Sequence, residues 1–326
     1  MIDYTIFGES HGKAIGVVIT GLPSGLPLDM DAVAAEMARR APGQDTPSTP
    51  RKEKDAVELL SGLFEGKTTG TPLCGVIYNT DTRSKDYSKL KDMPRPGHAD
   101  YTASVRYGGC SDYRGGGHFS GRVTAPLVFA GAVAKQLLAQ QGIAVETRIS
   151  VLGGGEDPTA EQIDAIILAA KADCDSVGGA VSCTVSGIPA GFGAPDLGEN
   201  AEGIFAKHLF AVPGVKGIEF GAGFGFASMR GSQGNDPFCM ADGKVQTVTN
   251  HAGGINGGIT NGMPVTFRVA MRPTPSIAKQ QQTVSLSSGT NEVLVVEGRH
   301  DPCIVKRALP VIEAAAALAV CELMNI

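Results

Sequence analysis

The sequence predicts an α+β protein, and three observations carry that reading. Stretches with helical periodicity and stretches rich in β-branched residues both occur, without the regular strand-helix alternation of a doubly wound parallel sheet. The turn Val18-Ile19-Thr20-Gly21-Leu22-Pro23-Ser24-Gly25 returns as Thr184-Val185-Ser186-Gly187-Ile188-Pro189-Ala190-Gly191. Glycine reaches 44 of 326 residues, so many segments are suited to tight turns or to the close approach of another group.

In chain order, Ala14–Thr20 reads as a strand that leaves through the first copy of the turn into a helix, Ala32 to Arg40, closed by Ala41-Pro42-Gly43. Gly75 to Asn79 is a second strand. Pro126 to Gln141 reads as a helix, with Pro at its start, Gly142 past its end and Leu127, Ala130, Ala134, Leu137 and Leu138 on one face. Pro158 to Ala172 follows the same pattern, with Asp157 as its cap and Ile163, Ile166, Ile167 and Ala170 inward. Ala180 to Ser186 leads through the second copy of the turn into a helix, Ala201 to Phe210, closed by Val212-Pro213-Gly214. Pro264 to Met271 and Glu292 to Glu297 are further strands, and an Ala-rich helix runs from Pro310 to Met324. The Pro126, Pro158 and Pro310 helices are all expected in the core. The repeated order implies an internal duplication within one domain, with related halves of about 1–150 and 151–326.

Composition limits the function. The 28 Lys and Arg against 33 Asp and Glu leave a net charge of −5, so no general basic field draws nucleic acid or an anionic membrane. Any anion site must be a local cluster of Arg and Lys. Seven Cys without a Cys-x-x-Cys pair argue against a disulfide framework or a structural zinc site. With no uninterrupted apolar run of membrane length, the expectation is a cytoplasmic protein.

Polar chemistry gathers in glycine-rich loops. Gly8-Glu9-Ser10-His11-Gly12 and Arg95-Pro96-Gly97-His98-Ala99-Asp100 each place an imidazole beside glycine, and Arg114-Gly115-Gly116-Gly117-His118-Phe119-Ser120-Gly121-Arg122 exposes successive backbone amides between two guanidiniums. Asn250-His251-Ala252-Gly253-Gly254-Ile255-Asn256-Gly257-Gly258, Arg272-Pro273-Thr274-Pro275-Ser276 and Gly298-Arg299-His300-Asp301-Pro302-Cys303 add further His, hydroxyl and Arg groups. Histidine exchanges protons near neutrality and Arg offers planar, permanent donors to phosphate and carboxylate. Together they point to an enzyme acting on a small polyanion.

Competing chemistries fit less well. His98 with Asp100 and His300 with Asp301 offer a metal-dependent phosphohydrolase, without the spacing of an established metal motif. Gly221-Ala222-Gly223-Phe224-Gly225 lacks a following helix, Gly62 to Thr68 is one residue short of a phosphate-binding Walker loop, and Gly8-Glu9-Ser10-His11-Gly12 lacks the strand-turn-helix setting of a serine nucleophile. A non-catalytic flavin or nucleotide-binding regulator is the alternative from another class.

These loops, with Arg39-Arg40-Ala41-Pro42-Gly43, Ser61 to Pro72 and Arg230-Gly231-Ser232-Gln233, resemble the chorismate synthase family in order along nearly the whole chain. The resemblance implies helices sandwiched between two antiparallel sheets and a homotetramer. It implies anti-1,4-elimination of phosphate from 5-enolpyruvylshikimate 3-phosphate, with reduced FMN from an external source and NADP as an associated nucleotide.

The same resemblance makes His11 the acid toward the leaving phosphate, His98 the group that protonates or stabilises reduced flavin, and Asp301 the aid to proton transfer at the flavin. Ser10, Arg40, Arg114 and Arg122 would hold substrate. His118, Phe119, Ser120, Gly257, Arg272, Pro273, Thr274, Pro275, Ser276 and Arg299 would hold the flavin. Many members read Arg-Ser-Ser-Ala-Arg where His118-Phe119-Ser120-Gly121-Arg122 stands here, and an Arg where Thr46 stands, departures that bear on substrate or NADP binding.

Overall fold

The computed structural model describes residues 1–41, 55–80, 89–296 and 301–326. Thr46, Glu297, Arg299 and His300 and the Pro42-Gly43 turn lie outside the described residues, and the strand expected from Glu292 spans Thr290–Leu294.

The apolar strand segments pair into two antiparallel sheets. The N-terminal sheet runs Asp3–Gly8, Ala14–Thr20, Leu73–Tyr78 and Glu58–Ser61 in spatial order. The C-terminal sheet runs Val215–Phe220, Val265–Met271, Gly179–Ser186 and Ala144–Leu152, with Gly155–Glu156 at its edge. In Val265–Met271 the residues Val265, Phe267, Val269 and Met271 are buried while Arg268 and Ala270 are exposed, so each pleat gives one face to the core.

Helices fill the space between the sheets. Thr124–Ala139 packs on the N-terminal sheet, Val305–Met324 packs on the strands Ala144–Leu152 and Gly179–Ser186, and these two helices pack on each other. Met30–Arg40 touches both, and Ala201–Phe210 lies against Val305–Met324 and Val215–Phe220. Small residues permit this closeness: a β-carbon on Gly131 would lie 2.1 Å from Ala314 Cβ, and Ala315, Ala316, Ala317 and Ala319 are fully buried. The α+β sandwich expected from the resemblance is therefore present.

Three local expectations change. The helix expected from Pro158 spans Ala160–Ala172 with Thr159, not Asp157, as its cap, because Thr159 and Gln162 form a reciprocal capping box. That helix is an outer one, with Ile167 and Ala170 buried but Leu168 and Ala169 exposed. The C-terminal helix starts at Val305, five residues before Pro310, whose missing amide removes one bond near the start while its ring is buried in the core.

The repeated turns fold alike down to single hydrogen bonds. Thr68 Oγ1 donates to Pro23 O at 2.5 Å and accepts from Leu26 N at 3.0 Å; Thr260 Oγ1 donates to Pro189 O at 2.7 Å and accepts from Phe192 N at 3.0 Å. Gly25 N donates to Thr68 O, and Gly191 N to Thr260 O. The likeness does not extend to the loops that follow Asp3–Gly8 and Ala144–Leu152. The Gly8 to Gly12 loop carries His11, whereas the equivalent loop at Gly153 lies against Ile166 of the outer helix.

Candidate active site

Three consecutive glycines build the floor of the site. Gly115, Gly116 and Gly117 have φ of +60°, +84° and +54°, a path that other residues follow at a cost. A β-carbon on Gly115 would lie 2.0 Å from His11 Nδ1, and one on Gly116 would lie 3.1 Å from His98 Nε2. The bare backbone thus lets imidazoles from two loops approach neighbouring links of one turn. Ser10 N donates to Gly117 O at 3.1 Å and Ser10 Oγ lies 3.3 Å from His11 Nδ1, so the first loop is fastened to the turn. Ser10 and His11 are buried.

On the His98 side, Asp100 and Arg95 make a buried pair. Arg95 Nε and Nη2 reach the two Asp100 oxygens at 2.8 Å each, and His98 Nδ1 lies 2.5 Å from Asp100 Oδ1. Burial opposes ionisation of Asp100, but hydrogen bonds from Arg95 and His98 outweigh it and hold the carboxyl below the usual range. This use of Asp100 by a guanidinium suits an oriented imidazole rather than a shared cation, which disfavours the metal reading of His98 with Asp100.

Behind His11 a second charge cluster is completely internal. Asp55 offers one oxygen to Arg40 Nη1 at 2.6 Å and the other to Arg122 Nη1. Arg40 also donates to Thr124 Oγ1 and to Gly121 O. Burial pushes the Arg40 guanidinium down to about 10, with Arg307 and Arg122 adding to the effect and Asp55 opposing it. Burial raises the Asp55 carboxyl, yet the two guanidiniums win and keep it low. Asn79 ties this cluster to the His11 loop, accepting from Arg122 Nε and donating to Glu9 O and Gly12 O, all within 3.1 Å.

Two more groups join from the C-terminal half. Arg307, in the first turn of the C-terminal helix, donates to Arg40 O at 3.0 Å and to Asp301 at 2.5 Å. Arg272 reaches Gly97 O beside His98, and Arg95 Nη1 donates to Ser276 Oγ at 3.0 Å. Thr274 Oγ1 in the same loop is buried without a hydrogen-bond partner, while Thr274 O accepts from Ser176 Oγ. His11, His98, Arg40, Arg122, Asp301, Arg272 and Ser276 are thus joined in one chain of contacts.

The remaining sequence candidates fall at the rim or away. Arg114 is paired with Asp112 in a two-pronged bond and is partly exposed. His118 lies on the surface with Nδ1 2.9 Å from Gly8 O, Phe119 sits beside Tyr107, and Ser120 Oγ accepts from Arg122 N. Pro273 O accepts from Arg272 Nε, and Pro275 O from Gln281. Gly257 is not brought to this cluster. It lies in the Ile255–Thr260 hairpin next to Gly258, whose backbone meets Gly193 and Ala201 near Leu323. That is the far end of the C-terminal helix from Arg307, about 24 Å at 1.5 Å per residue.

Sequence reasoning missed Asp55, Asn79 and Arg307, saw Arg95 only as part of a motif, and weighed Asp100 only as a metal ligand beside His98. Nothing local marks Asp55 or Asn79, since their partners lie 67 and 43 positions away in Arg122. Arg95 and Asp100 carried a readable signal, a cation and a carboxylate flanking a His within one turn.

Curated chorismate synthases from Chitinophaga pinensis, Methanosarcina mazei and Dehalococcoides mccartyi are 49%, 46% and 43% identical to the chain; the alignments cover 98%, 98% and 99% of it and 93%, 93% and 94% of those proteins. A solved chorismate synthase crystal structure shares the fold with a TM-score of 0.75 at 24% identity, over 99% of this chain and 91% of that one. The chorismate synthase family model matches residues 2–324, and with relatives this similar over nearly their full length, the chain belongs to the chorismate synthase family.

Proposed function

We propose that the chain converts 5-enolpyruvylshikimate 3-phosphate to chorismate, eliminating phosphate in the last common step of the shikimate pathway, with reduced FMN as cofactor. The observation that carries this reading is the continuity of the network: proton-transfer groups and guanidiniums from five separated segments meet around one triglycine turn.

The substrate bears a phosphate and two carboxylates. Arg40 and Arg122 are the cations for it, with Ser10 beside His11 and Arg114 at the rim. Charge-assisted bonds are worth about 1.5–3 kcal/mol each, enough in number to hold a polyanion on a protein of net charge −5. His11 is placed to give its proton to the departing phosphate. Arg307, held on Arg40 O, orients Asp301 to aid transfer of the substrate proton at the flavin.

The residues present fit a flavin. The triglycine lets His11 and His98 approach its bare backbone, and the buried Thr274 hydroxyl lacks a partner in the same loop as Arg272 and Ser276. His98, Ser120, Arg272, Thr274 and Ser276 would hold it, with His118, Phe119, Pro273 and Pro275 alongside. When bound, reduced FMN supplies an electron that assists loss of phosphate and regains it with the substrate hydrogen, leaving no net redox change. His98 would hold a proton at the reduced ring.

The reading extends to a cytoplasmic homotetramer fed with reduced flavin from outside, with NADP behind that supply. The described residues include no helix long and apolar enough to cross a membrane. On the hairpin Phe238–Ala241 and Lys244–Thr247, Phe238, Met240 and Val245 share one face and are 73%, 70% and 61% exposed, which favours burial against another subunit. The paired hydrogen bonds at Thr68 and Thr260 support two related halves, joined just before Ala144, since a boundary near residue 150 would cut the strand Ala144–Leu152.

An anaerobic assay with reduced FMN and substrate tests the reading. Chorismate and phosphate in equal amounts are expected. EDTA-sensitive phosphate release without chorismate would mean a hydrolase, and flavin binding without turnover would mean a regulator.

A further inference from the structure

Asp100 opens the Asp100–Arg106 helix two positions after His98, yet its side chain is turned back on the preceding loop. Its side chain is 6% exposed, Arg95 is 5% and His98 is 14%. Every Asp100 oxygen is engaged: Oδ1 by His98 Nδ1 and Arg95 Nη2, Oδ2 by Arg95 Nε and the Arg95 amide at 3.0 Å. The free end of the guanidinium continues to Ser276 Oγ, 181 positions along the chain.

Chemistry fixes the direction of each bond. An ionised carboxylate only accepts, so His98 Nδ1 at 2.5 Å carries a proton and donates it. Arg95 Nη2 only donates, so at 3.0 Å it makes no bond to the protonated Nδ1, and its bond to the ring is to the lone pair of Nε2 at 3.3 Å. The ring nitrogen left to exchange a proton is Nε2, the one that faces Gly116.

We infer that Asp100 is a positioning residue that fixes His98 with Nδ1–H on its carboxylate and Nε2 presented over the triglycine, and that Arg95 ties this pair to Ser276. The proton-exchanging nitrogen and the Arg272 to Ser276 loop are then held as one unit. The inference rests on the proposed role of His98 in proton transfer. In other enzymes a carboxylate that sets the tautomer of a catalytic His is worth up to about 10⁴ in rate, with the residues still in place.

The test combines ¹⁵N NMR of the His98 ring with kinetics on the full-length enzyme under reduced FMN. For the wild type, a persistently protonated Nδ1 is expected. Asp100→Asn should redistribute the ring proton and lower kcat about 10²- to 10³-fold with KM changed less than about threefold. Asp100→Glu keeps the acceptor on a longer arm, so it should retain Nδ1–H and recover part of kcat; it also serves if Asp100→Asn does not fold. Ser276→Ala should leave the ring signals alone and weaken FMN binding. An unchanged ring tautomer and kcat in Asp100→Asn, or a raised KM with unchanged kcat, would overturn the inference and leave Asp100 as a structural ion-pair partner. Full turnover in His98→Ala would instead remove the role of His98 itself.

Discussion

His11 packs directly on Gly115: a β-carbon at position 115 would sit 2.0 Å from the imidazole Nδ1. Glycine at this position therefore does two things. It allows the left-handed turn, and it leaves the space that the imidazole fills.

Gly115→Ala follows from that contact. A left-handed Ala costs about 1–2 kcal/mol, a loss a protein of this size can carry. The methyl must displace His11, and a displacement of about 1 Å costs on the order of 10² in rate. Stopped-flow turnover should show a large fall in kcat beside a modest fall in melting temperature. Unchanged kcat would separate His11 from the chemistry.

Removing either imidazole should be severe without being absolute. His11→Ala and His98→Ala are each expected to lower kcat by about 10²–10⁴, the range for general acid assistance. His98→Ala should still bind FMN, as flavin titration would show. Activity at the wild-type level in either variant would take that residue out of the mechanism.

Arg40 makes three different bonds, to Asp55, Thr124 Oγ1 and Gly121 O, that a lysine ammonium cannot reproduce from one position. Arg40→Lys should raise KM for the phosphorylated substrate about tenfold or more and leave FMN affinity unaltered. It should also destabilise the fold, because Asp55 keeps only Arg122 as a guanidinium partner. Steady-state kinetics with separate flavin titrations distinguish substrate capture from general damage, and an unaltered KM would count against it.

Glu313 is buried in the Ala-rich helix and bound by Arg39, Lys135 and Thr147 Oγ1. Burial opposes its ionisation, but these partners hold the carboxyl down to about 2. The usual unfolded value is about 4.3, so the folded state favours the ionised form. That stabilisation is complete above about pH 4.3 and is lost as pH falls toward 2. Glu313→Gln should cost about 3–5 kcal/mol at neutral pH, and its gap from the wild type should close by about 3 kcal/mol across that window. Urea titrations at stepped pH measure this, and a gap independent of pH would be the contrary result.

The sequence made the repetitive parts of this molecule readable and left the long-range parts hidden. Ala14–Thr20 and Ala201–Phe210 occupy the expected residues because β-branched runs and a capped amphipathic stretch act locally. Asp3–Gly8 and Ala144–Leu152 escaped notice although polar and apolar residues alternate through Ala144–Leu152 as in a half-buried strand, and their partners in the sheet reveal them. The glycine loops announced His11 and His98. Asp55 and Arg307 act through contacts that no spacing encodes, and the placement of Gly257 at the other end of a long helix could not be read from its motif.

A crystal structure with FMN and substrate bound tests the central claim most directly. The account predicts flavin against the Gly115 to Gly117 turn and the Arg272 to Ser276 loop, with the substrate phosphate within hydrogen-bond reach of His11. Density for both ligands at a site that includes neither His11 nor His98 would contradict it.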